Sequence, residues 1–255
     1  MITPIDDLKG KIEAVCNGSD NTTEQLQEIC KVFLSCFHIE TAGWTLWPTE
    51  VEAYCYCGNH KDVYVHQNDL QCNRFGKIYV HRHPSNKTAG GTPKGWAGMD
   101  ICLSDKDGLY FGMLIRAARV NAPDNEIVIG PYKLYRTLKT GQAPNYFETL
   151  EKEVALIPNS NTISEPVFFS KRIGLTQKEE DPDGIFLNEK MRAVIGSDFS
   201  KLNYRLKEEL FEGRAETPAG ITDVEYARMI LGYVPANITN SKLIDTSKIL
   251  QEDRC

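Results

Sequence analysis

One short stretch constrains the fold more than any other part of the chain. Over residues 50–56, charged or aromatic side chains alternate with small apolar ones in the order EVEAYCY. Successive side chains of a β-strand point to opposite faces of a sheet, so this period of two predicts a strand with one polar and one apolar face. Glu52 and Tyr54 then lie side by side on the polar face.

Three further segments repeat this alternation and predict neighbouring strands at residues 77–83, 99–104 and 109–120. A carboxylate, a guanidinium and several flat rings on adjacent strand faces are typical of a pocket for a planar substrate. The side chains predicted on these polar faces are Glu52, Tyr54, His66, His81, Asp100 and Arg116.

Helices are predicted around these strands. Thr3 precedes Pro4 and an apolar period of 3.6, and Thr22 with Gln25 forms a capping box. Further helices are expected at 130–138, at 198–211 and after Thr222, and short strands at 167–169 and 172–175. The expected architecture is α+β, a single domain with a curved mixed or antiparallel sheet surrounded by helices. Residues 1–43 form a helical extension packed on the core, 44–175 the core, and 176–255 the strands and helices that complete the domain.

Charge is distributed unevenly along the chain. The formal net charge is −6, yet residues 74–139 contain eleven lysines and arginines against five aspartates and glutamates. A surface that binds nucleic acid needs only local positive charge, because affinity comes from counterions released at the contacted phosphates. The central segment therefore favours a nucleic-acid partner despite the acidic total.

Other classes of protein are disfavoured by the sequence. The most apolar stretch, residues 109–118, is far shorter than a membrane span, and the first fifteen residues lack the pattern of a secretory signal. We therefore expect a cytoplasmic protein, or a nuclear one in a eukaryote, with its eight cysteines reduced. No C-x-x-C occurs, and the glycines of residues 90–95 lack the spacing of a phosphate-binding loop.

Short motifs in a fixed order resemble the alkyladenine (3-methyladenine) DNA glycosylase family. EVEAY at residues 50–54 is similar to that family's V-E-x-E-A-Y strand, and IYVH at 78–81 to its L-Y-V-Y strand. GMDI at 98–101 with MLIRA at 113–117 resembles the M-N-I and L-L-R-A pair. GPYKL at 130–134 and RIGL at 172–175 resemble G-P-x-K-L and R-V-G-[VI]. The resemblance covers roughly residues 45–175.

The resemblance implies excision of an alkylated purine base, such as 3-methyladenine, from DNA. The damaged nucleotide is flipped out of the duplex, its base is held between aromatic rings, and water attacks the sugar C1′. Glu52 matches the general base, and Arg116 is expected to orient Glu52 or the water. Tyr54 and His66 are expected to line the base pocket. No cofactor and no metal are implied, and a monomer is expected.

Three positions depart from the family's pattern. His81 replaces its stacking tyrosine, and Asp100 replaces the asparagine that is thought to exclude guanine. An aspartate there favours a cationic base, such as 3-methyladenine or 7-methylguanine, over a neutral one. Trp96 is the aromatic residue nearest to the position of the family's intercalating tyrosine, but its register differs. Single-stranded DNA and free nucleosides therefore stay open as substrates beside duplex DNA.

Two other functions fit the same residues. The chain could be a catalytically silent relative that binds nucleic acid or nucleobases, with Glu52 and Arg116 joined only in a buried ion pair. It could also be a hydrolase whose metal is held by histidines and cysteines, since histidines two apart on a strand face the same way. The residues available for such a site are Cys55, Cys57, His60, His66, His81 and His83.

Overall fold

A computed structural model describes residues 3–18, 22–58, 60–82, 91, 93, 95–153, 155–196, 204–212, 221–236 and 238. The helices are α1 (Pro4–Asn17), α2 (Thr22–Cys36), α3 (Pro131–Lys139), α4 (Tyr146–Lys152), α5 (Ile185–Asn188), α6 (Tyr204–Glu212) and α7 (Asp223–Leu231). The strands are β1 (Phe37–Thr41), β2 (Trp44–Cys57), β3 (His60–Lys61), β4 (Ile78–Val80), β5 (Met99–Cys102), β6 (Tyr110–Val120), β7 (Ile127–Ile129), β8 (Leu156–Pro158), β9 (Val167–Ser170) and β10 (Arg192–Ile195).

These strands form one curled sheet whose centre is the long pair β2 and β6. The main order is β4-β5-β6-β2-β1-β8, and every pairing among the described strands is antiparallel. One edge of β2 pairs with β6, and its other edge pairs in turn with β1, β10 and β3. The coarse expectation of an α+β fold around a curved antiparallel sheet is confirmed.

Two hydrophobic clusters fix the helices against the sheet. The larger cluster joins the apolar face of the central strands, including Val51 and Met113, to α1, α2, α3 and α4. The smaller cluster joins Phe168 of β9 and Val194 of β10 to α6 and α7. Because Val194 lies opposite Glu50, α6 and α7 lie on the side of the sheet that carries Glu50.

The helix signals read from the sequence are confirmed where they fall on described residues. Thr3 and Thr222 cap α1 and α7 with complete capping boxes, and Gly130 precedes Pro131 at the start of α3. The helix expected at 198–211 is α6, which begins at Tyr204; residues 197–203 lie outside the described ranges. No helix within the described ranges combines the length and hydrophobicity needed to cross a lipid bilayer.

Two expectations about strands need correction. Residues 1–43 are not helical throughout, because residues 37–41 form β1, which pairs with both β2 and β8. The strand expected at 172–175 is absent from the described structure. There the Ile173 N–H donates to a side chain instead of a strand ladder, and Gly174 has φ +78, outside the β region. The strand expected at 77–83 is the shorter β4, and residue 83 lies outside the described ranges.

Candidate active site

Glu52 lies at the centre of the polar face of β2 and is 0% exposed. Its Oε1 accepts hydrogen bonds from the Ile173 N–H (2.7 Å) and lies 3.2 Å from Arg116 Nη1. Its Oε2 accepts from the Tyr54 hydroxyl at 2.9 Å. A carboxylate offers about four lone-pair positions, and these contacts use three of them. Oε2 therefore keeps one acceptor position for a further hydrogen-bond donor.

A paired irregularity in the central strands brings Arg116 to Glu52. The β2–β6 register shifts between Pro48 and Glu50 and again between Glu50 and Val51. Proline has no N–H to donate to a ladder, which explains why the irregularity begins at Pro48. Since Glu50 lies opposite Ala117 and Val51 opposite Ile115, Arg116 is an extra residue in β6. Extra residues of this kind re-aim a side chain.

Arg116 contacts two carboxylates at once. Its Nε donates to Glu50 Oε1 at 2.9 Å, while its Nη1 reaches Glu52. Burial alone would lower the pKa of Arg116, but the charges of Glu52 and Glu50 hold that pKa above its ordinary value. The guanidinium therefore stays charged beside both acids.

Glu50 has a second arginine partner, which lies in the protein interior. Arg192 of β10 is 0% exposed, and its Nε donates to the same Glu50 Oε1 at 2.8 Å. Two carboxylates and two guanidiniums thus form a buried network without net charge, Glu50, Glu52, Arg116 and Arg192. The expectation that Glu50 is a structural charge agrees with these contacts.

Tyr54 links Glu52 to a second buried ion pair. The centre of the Arg172 guanidinium lies 4.5 Å from the centroid of the Tyr54 ring, and Arg172 forms a bidentate pair with Asp62. Burial, and then the charge of Glu52, raises the pKa of Tyr54 well above its ordinary value. The Tyr54 hydroxyl therefore stays protonated and donates to Glu52. One face of this half-buried ring is covered by Arg172.

A second cluster lies two strands away on the same face. His81 Nε2 is 2.6 Å from Asp100 Oδ1, and Gln71 Nε2 donates to Asp100 Oδ2 at 3.1 Å. The His66 and His81 rings are 4.6 Å apart edge to face, and His66 Nδ1 lies 3.3 Å from the Tyr79 hydroxyl. The carboxylate of Asp100 thus has partners from the protein on both oxygens and is directed at His81.

The register joins the two clusters in one row. Tyr79, Asp100, Leu114 and Glu52 are paired in succession across β4, β5, β6 and β2. Strands lie about 4.8 Å apart, so roughly 10 Å separates the Asp100 and Glu52 backbones. Gly112, one step along β6, leaves room for this cluster: a Cβ there would lie 2.5 Å from Asp100 Oδ2.

An open cleft of about 530 Å³ lies next to this face. His66 belongs to its wall, and so do Tyr56, Tyr64 and Lys178, whereas Glu52 does not line it. The segment that donates to Glu52 continues into the other wall through Gly174 and the two residues after it, Leu175 and Thr176. The cleft and the buried carboxylate therefore share one boundary, the chain around residues 173–176.

Trp96 has a different environment. It lies in the turn before β5 and is 70% exposed, so it is a surface aromatic outside the buried clusters. A groove of about 330 Å³ runs along α3 and is lined by Tyr132, Tyr135, Arg136 and Lys139. Tyr132 is also largely exposed. Exposed aromatic rings beside cations are typical of surfaces that bind single-stranded nucleic acid.

The residues considered for a metal site are dispersed. Cys55 and Cys57 lie 3.6 Å apart in the apolar core, on the opposite face from His66 and His81. His60 lies against Glu189, at 3.5 Å. Among the residues that the structure describes, no group of three or more His, Cys, Asp or Glu side chains is placed to hold a metal ion.

Several contributors to this site carry no local signal in the sequence. Arg192, Asp62 and Gln71 reach it from separate segments, and Ile173 contributes a backbone N–H, which any residue but proline could supply. The one usable signal is Arg172-Ile173, which lies in a motif of the family resemblance. Comparison with protein-family models and with curated proteins gives no match for this chain.

Proposed function

We propose that this protein is an N-glycosylase that removes alkylated purines, such as 3-methyladenine, from DNA, with Glu52 as the general base. The supporting observation is that the segments of the family resemblance meet around one carboxylate. β4, β5, β6 and β2 are consecutive in the sheet, and Ile173 donates to Glu52. The start of α3 joins them, since the Gly130 N–H donates to the Arg116 carbonyl at 2.7 Å.

Glu52 is suited to activating water in this reaction. A water molecule at the remaining acceptor position of Oε2 would donate one proton to the carboxylate while its oxygen attacks C1′. The attacked sugar is cation-like, so the charge of Glu52 also stabilises the transition state, as in glycoside hydrolysis generally. Arg116 and the Ile173 N–H orient the carboxylate and favour its ionised form.

The base would lie over the row between Glu52 and His81. Tyr54, His66 and His81 supply rings on this face, and Leu114 supplies the apolar floor between the two clusters. Extruding a nucleotide from a duplex costs a few kcal/mol and costs least at a damaged pair. Stacking against such rings offsets part of that cost.

The DNA backbone would be held beside α3. Arg136 and Lys139 line its groove, and Tyr132 and Lys133 are exposed on the same helix. Because α3 begins next to Arg116, phosphates bound along this helix lie close to the reacting sugar. The positive charge of residues 74–139 supports the same partner.

The test is release of base from alkylated DNA. The wild-type protein should release 3-methyladenine in the presence of a chelator, and Glu52→Gln should lower the rate by about 10²- to 10⁴-fold, the usual contribution of a general base. Glu40→Gln, which alters an exposed glutamate of β1, is the matched control and should keep full activity. A wild-type protein that releases no base, or a Glu52→Gln variant as active as the control, contradicts the proposal.

One observation favours the silent relative as second candidate. Glu52 is fully buried and held by three partners, as expected of a carboxylate whose role is structural. Such a protein would bind alkylated DNA or nucleobases with unchanged affinity in Glu52→Gln and would release no base over hours. Binding and release measured on the same sample separate the two functions.

A further inference from the structure

The contact between His81 and Asp100 has a form that the proposed water activation does not use. Asp100 is 2% exposed and binds His81 Nε2 at 2.6 Å, while Gln71 fixes the second carboxylate oxygen. The His81 side chain keeps 17% exposure. A buried carboxylate on one ring nitrogen orients an imidazole and stabilises its protonated form. The other ring nitrogen, Nδ1, then points away from Asp100 and carries a proton when the ring is charged.

The surroundings of His81 place this ring at the far end of the row from Glu52. The His81 N–H donates to the Gly98 carbonyl, and a Cβ on Gly98 would lie 3.5 Å from His81 Cε1. The absence of a side chain at Gly98 therefore leaves space between His81 and Arg116, which is the next residue across the sheet by register. A water molecule, a sugar and a purine ring in line would extend from Glu52 across Leu114 towards His81.

Excision of a purine needs a proton for some bases and not for others. A purine alkylated at N3 or N7 carries a positive charge, so it leaves as a neutral molecule when the bond to C1′ breaks. A neutral purine would leave as an anion unless a ring nitrogen is protonated. A proton donor in the base pocket therefore accelerates release of neutral purines and does little for cationic ones.

We propose that His81 is the general acid that protonates a neutral purine as it leaves, with Asp100 as the positioning residue that holds it. This inference rests on the proposed glycosylase function. The water oxygen bonds to C1′, the C1′–N9 bond breaks, and its electron pair passes to the purine. His81 gives one proton to the purine, and Glu52 accepts one from the water. Exchange with solvent restores both groups, so the net reaction consumes one water molecule.

This assignment changes what Asp100 does in the pocket. The sequence alone suggests that its negative charge selects cationic bases. In the structure that charge faces His81, and a protonated His81 with Asp100 forms a pair without net charge. Such a pair does not repel a neutral purine, and it supplies the proton that a neutral purine requires. The substrate range therefore extends to neutral purine lesions.

The experiment compares two probes in single-turnover assays, DNA containing 7-methylguanine and DNA containing hypoxanthine. His81→Gln should slow release of hypoxanthine by about 10²- to 10⁴-fold and leave release of 7-methylguanine within about threefold. Asp100→Asn should slow hypoxanthine release by a smaller factor. Retained 7-methylguanine release shows that both variants are folded.

The pH dependence provides a readout that a purely structural role would not produce. With wild-type protein, hypoxanthine release should fall as pH rises and His81 loses its proton, whereas 7-methylguanine release should not follow that limb. The titratable and charged groups facing His81 are Asp100 on β5, His66 from the loop before β4, Tyr79 on its own strand and Arg116 across Gly98. His66→Gln is the control, and it should keep the falling limb.

The outcomes separate this inference from the function on which it rests. If wild-type protein releases 7-methylguanine but not hypoxanthine, the glycosylase function stands and the role of His81 is wrong. If His81→Gln slows both probes equally, the ring only stacks on the base and the inference is overturned. If neither probe is released, both proposals fail.

Discussion

Glu50 and Glu52 offer a matched comparison between structural and catalytic acids. They lie two residues apart on one face of β2, both are buried, and both contact Arg116. Replacing Glu50 with glutamine removes the carboxylate from Arg192, which is fully buried and has Glu50 as its ion-pair partner. Replacing Glu52 with glutamine leaves Arg116 paired with Glu50, and the new amide oxygen can still accept the Ile173 N–H.

The expected magnitudes differ accordingly. Removing one partner of a buried ion pair costs about 3–5 kcal/mol, because the other charge is left uncompensated. Weakening hydrogen bonds to a charged group costs about 1–2 kcal/mol. For a domain of this size each kcal/mol shifts Tm by about 2–4 °C, so Glu50→Gln should lower Tm by roughly 6–20 °C and Glu52→Gln by roughly 2–8 °C.

Thermal and urea unfolding of the two variants provide the measurement, with base release assayed on the same preparations. We expect opposite rank orders: Glu50→Gln is the less stable protein, and Glu52→Gln is the less active one below the unfolding range. The reasoning is refuted if Glu52→Gln unfolds at the same temperature as Glu50→Gln or at a lower one. It is equally refuted if Glu50→Gln shifts Tm by less than 2 °C.

Three further predictions concern other parts of the chain. Burial raises the pKa of Glu189 to about 7 from 4.5, so the folded state binds more protons than the unfolded state between these values and stability falls as pH rises through them. The free energy of unfolding of Glu189→Gln should therefore gain on wild type by up to about 3 kcal/mol between pH 5 and pH 8 in urea titrations, and equal curves would contradict this. Arg136→Glu with Lys139→Glu should weaken DNA binding and reduce the salt dependence by about 0.9 per lost phosphate contact, while Lys11→Glu on the opposite face should not. Gly10→Ala should raise the free energy of unfolding by about 0.5–1 kcal/mol in urea titration, because Gly10 lies inside α1 and its added Cβ would meet no atom within 4 Å; an unchanged value would argue against that estimate.

Alternation in the sequence predicted the faces of the central strands well. The polar residues of 50–56 share one face, and Val51, Ala53 and Cys55 join the core, because burial of one face fixes which residues point inwards. The same pattern could not reveal β10, which pairs with Glu50 and Glu52 from about 140 positions further along the chain. A contact between such distant segments depends on topology, which local periodicity does not encode.

The missed strand and the false strand have a common physical explanation. β1 is five residues long and directly follows α2, so its alternation is too short to stand out from a helical stripe. Residues 172–175 look like a strand because Ile173 and Leu175 are apolar. Their backbone is held instead by side chains, through the bond to Glu52 and through the buried pair of Arg172 with Asp62. Where an acid takes the N–H that a ladder would use, the propensity of the residues does not decide the conformation.

The hydrogen bond from Ile173 has a kinetic consequence for any reaction at Glu52. A carboxylate sealed from solvent can meet a nucleotide only after something above it moves, and residues 173–176 form both its cover and one wall of the neighbouring cleft. Each turnover would then begin with a lifting of this segment and end with its return. Single-turnover rates should reach a ceiling set by that motion, however much DNA is supplied.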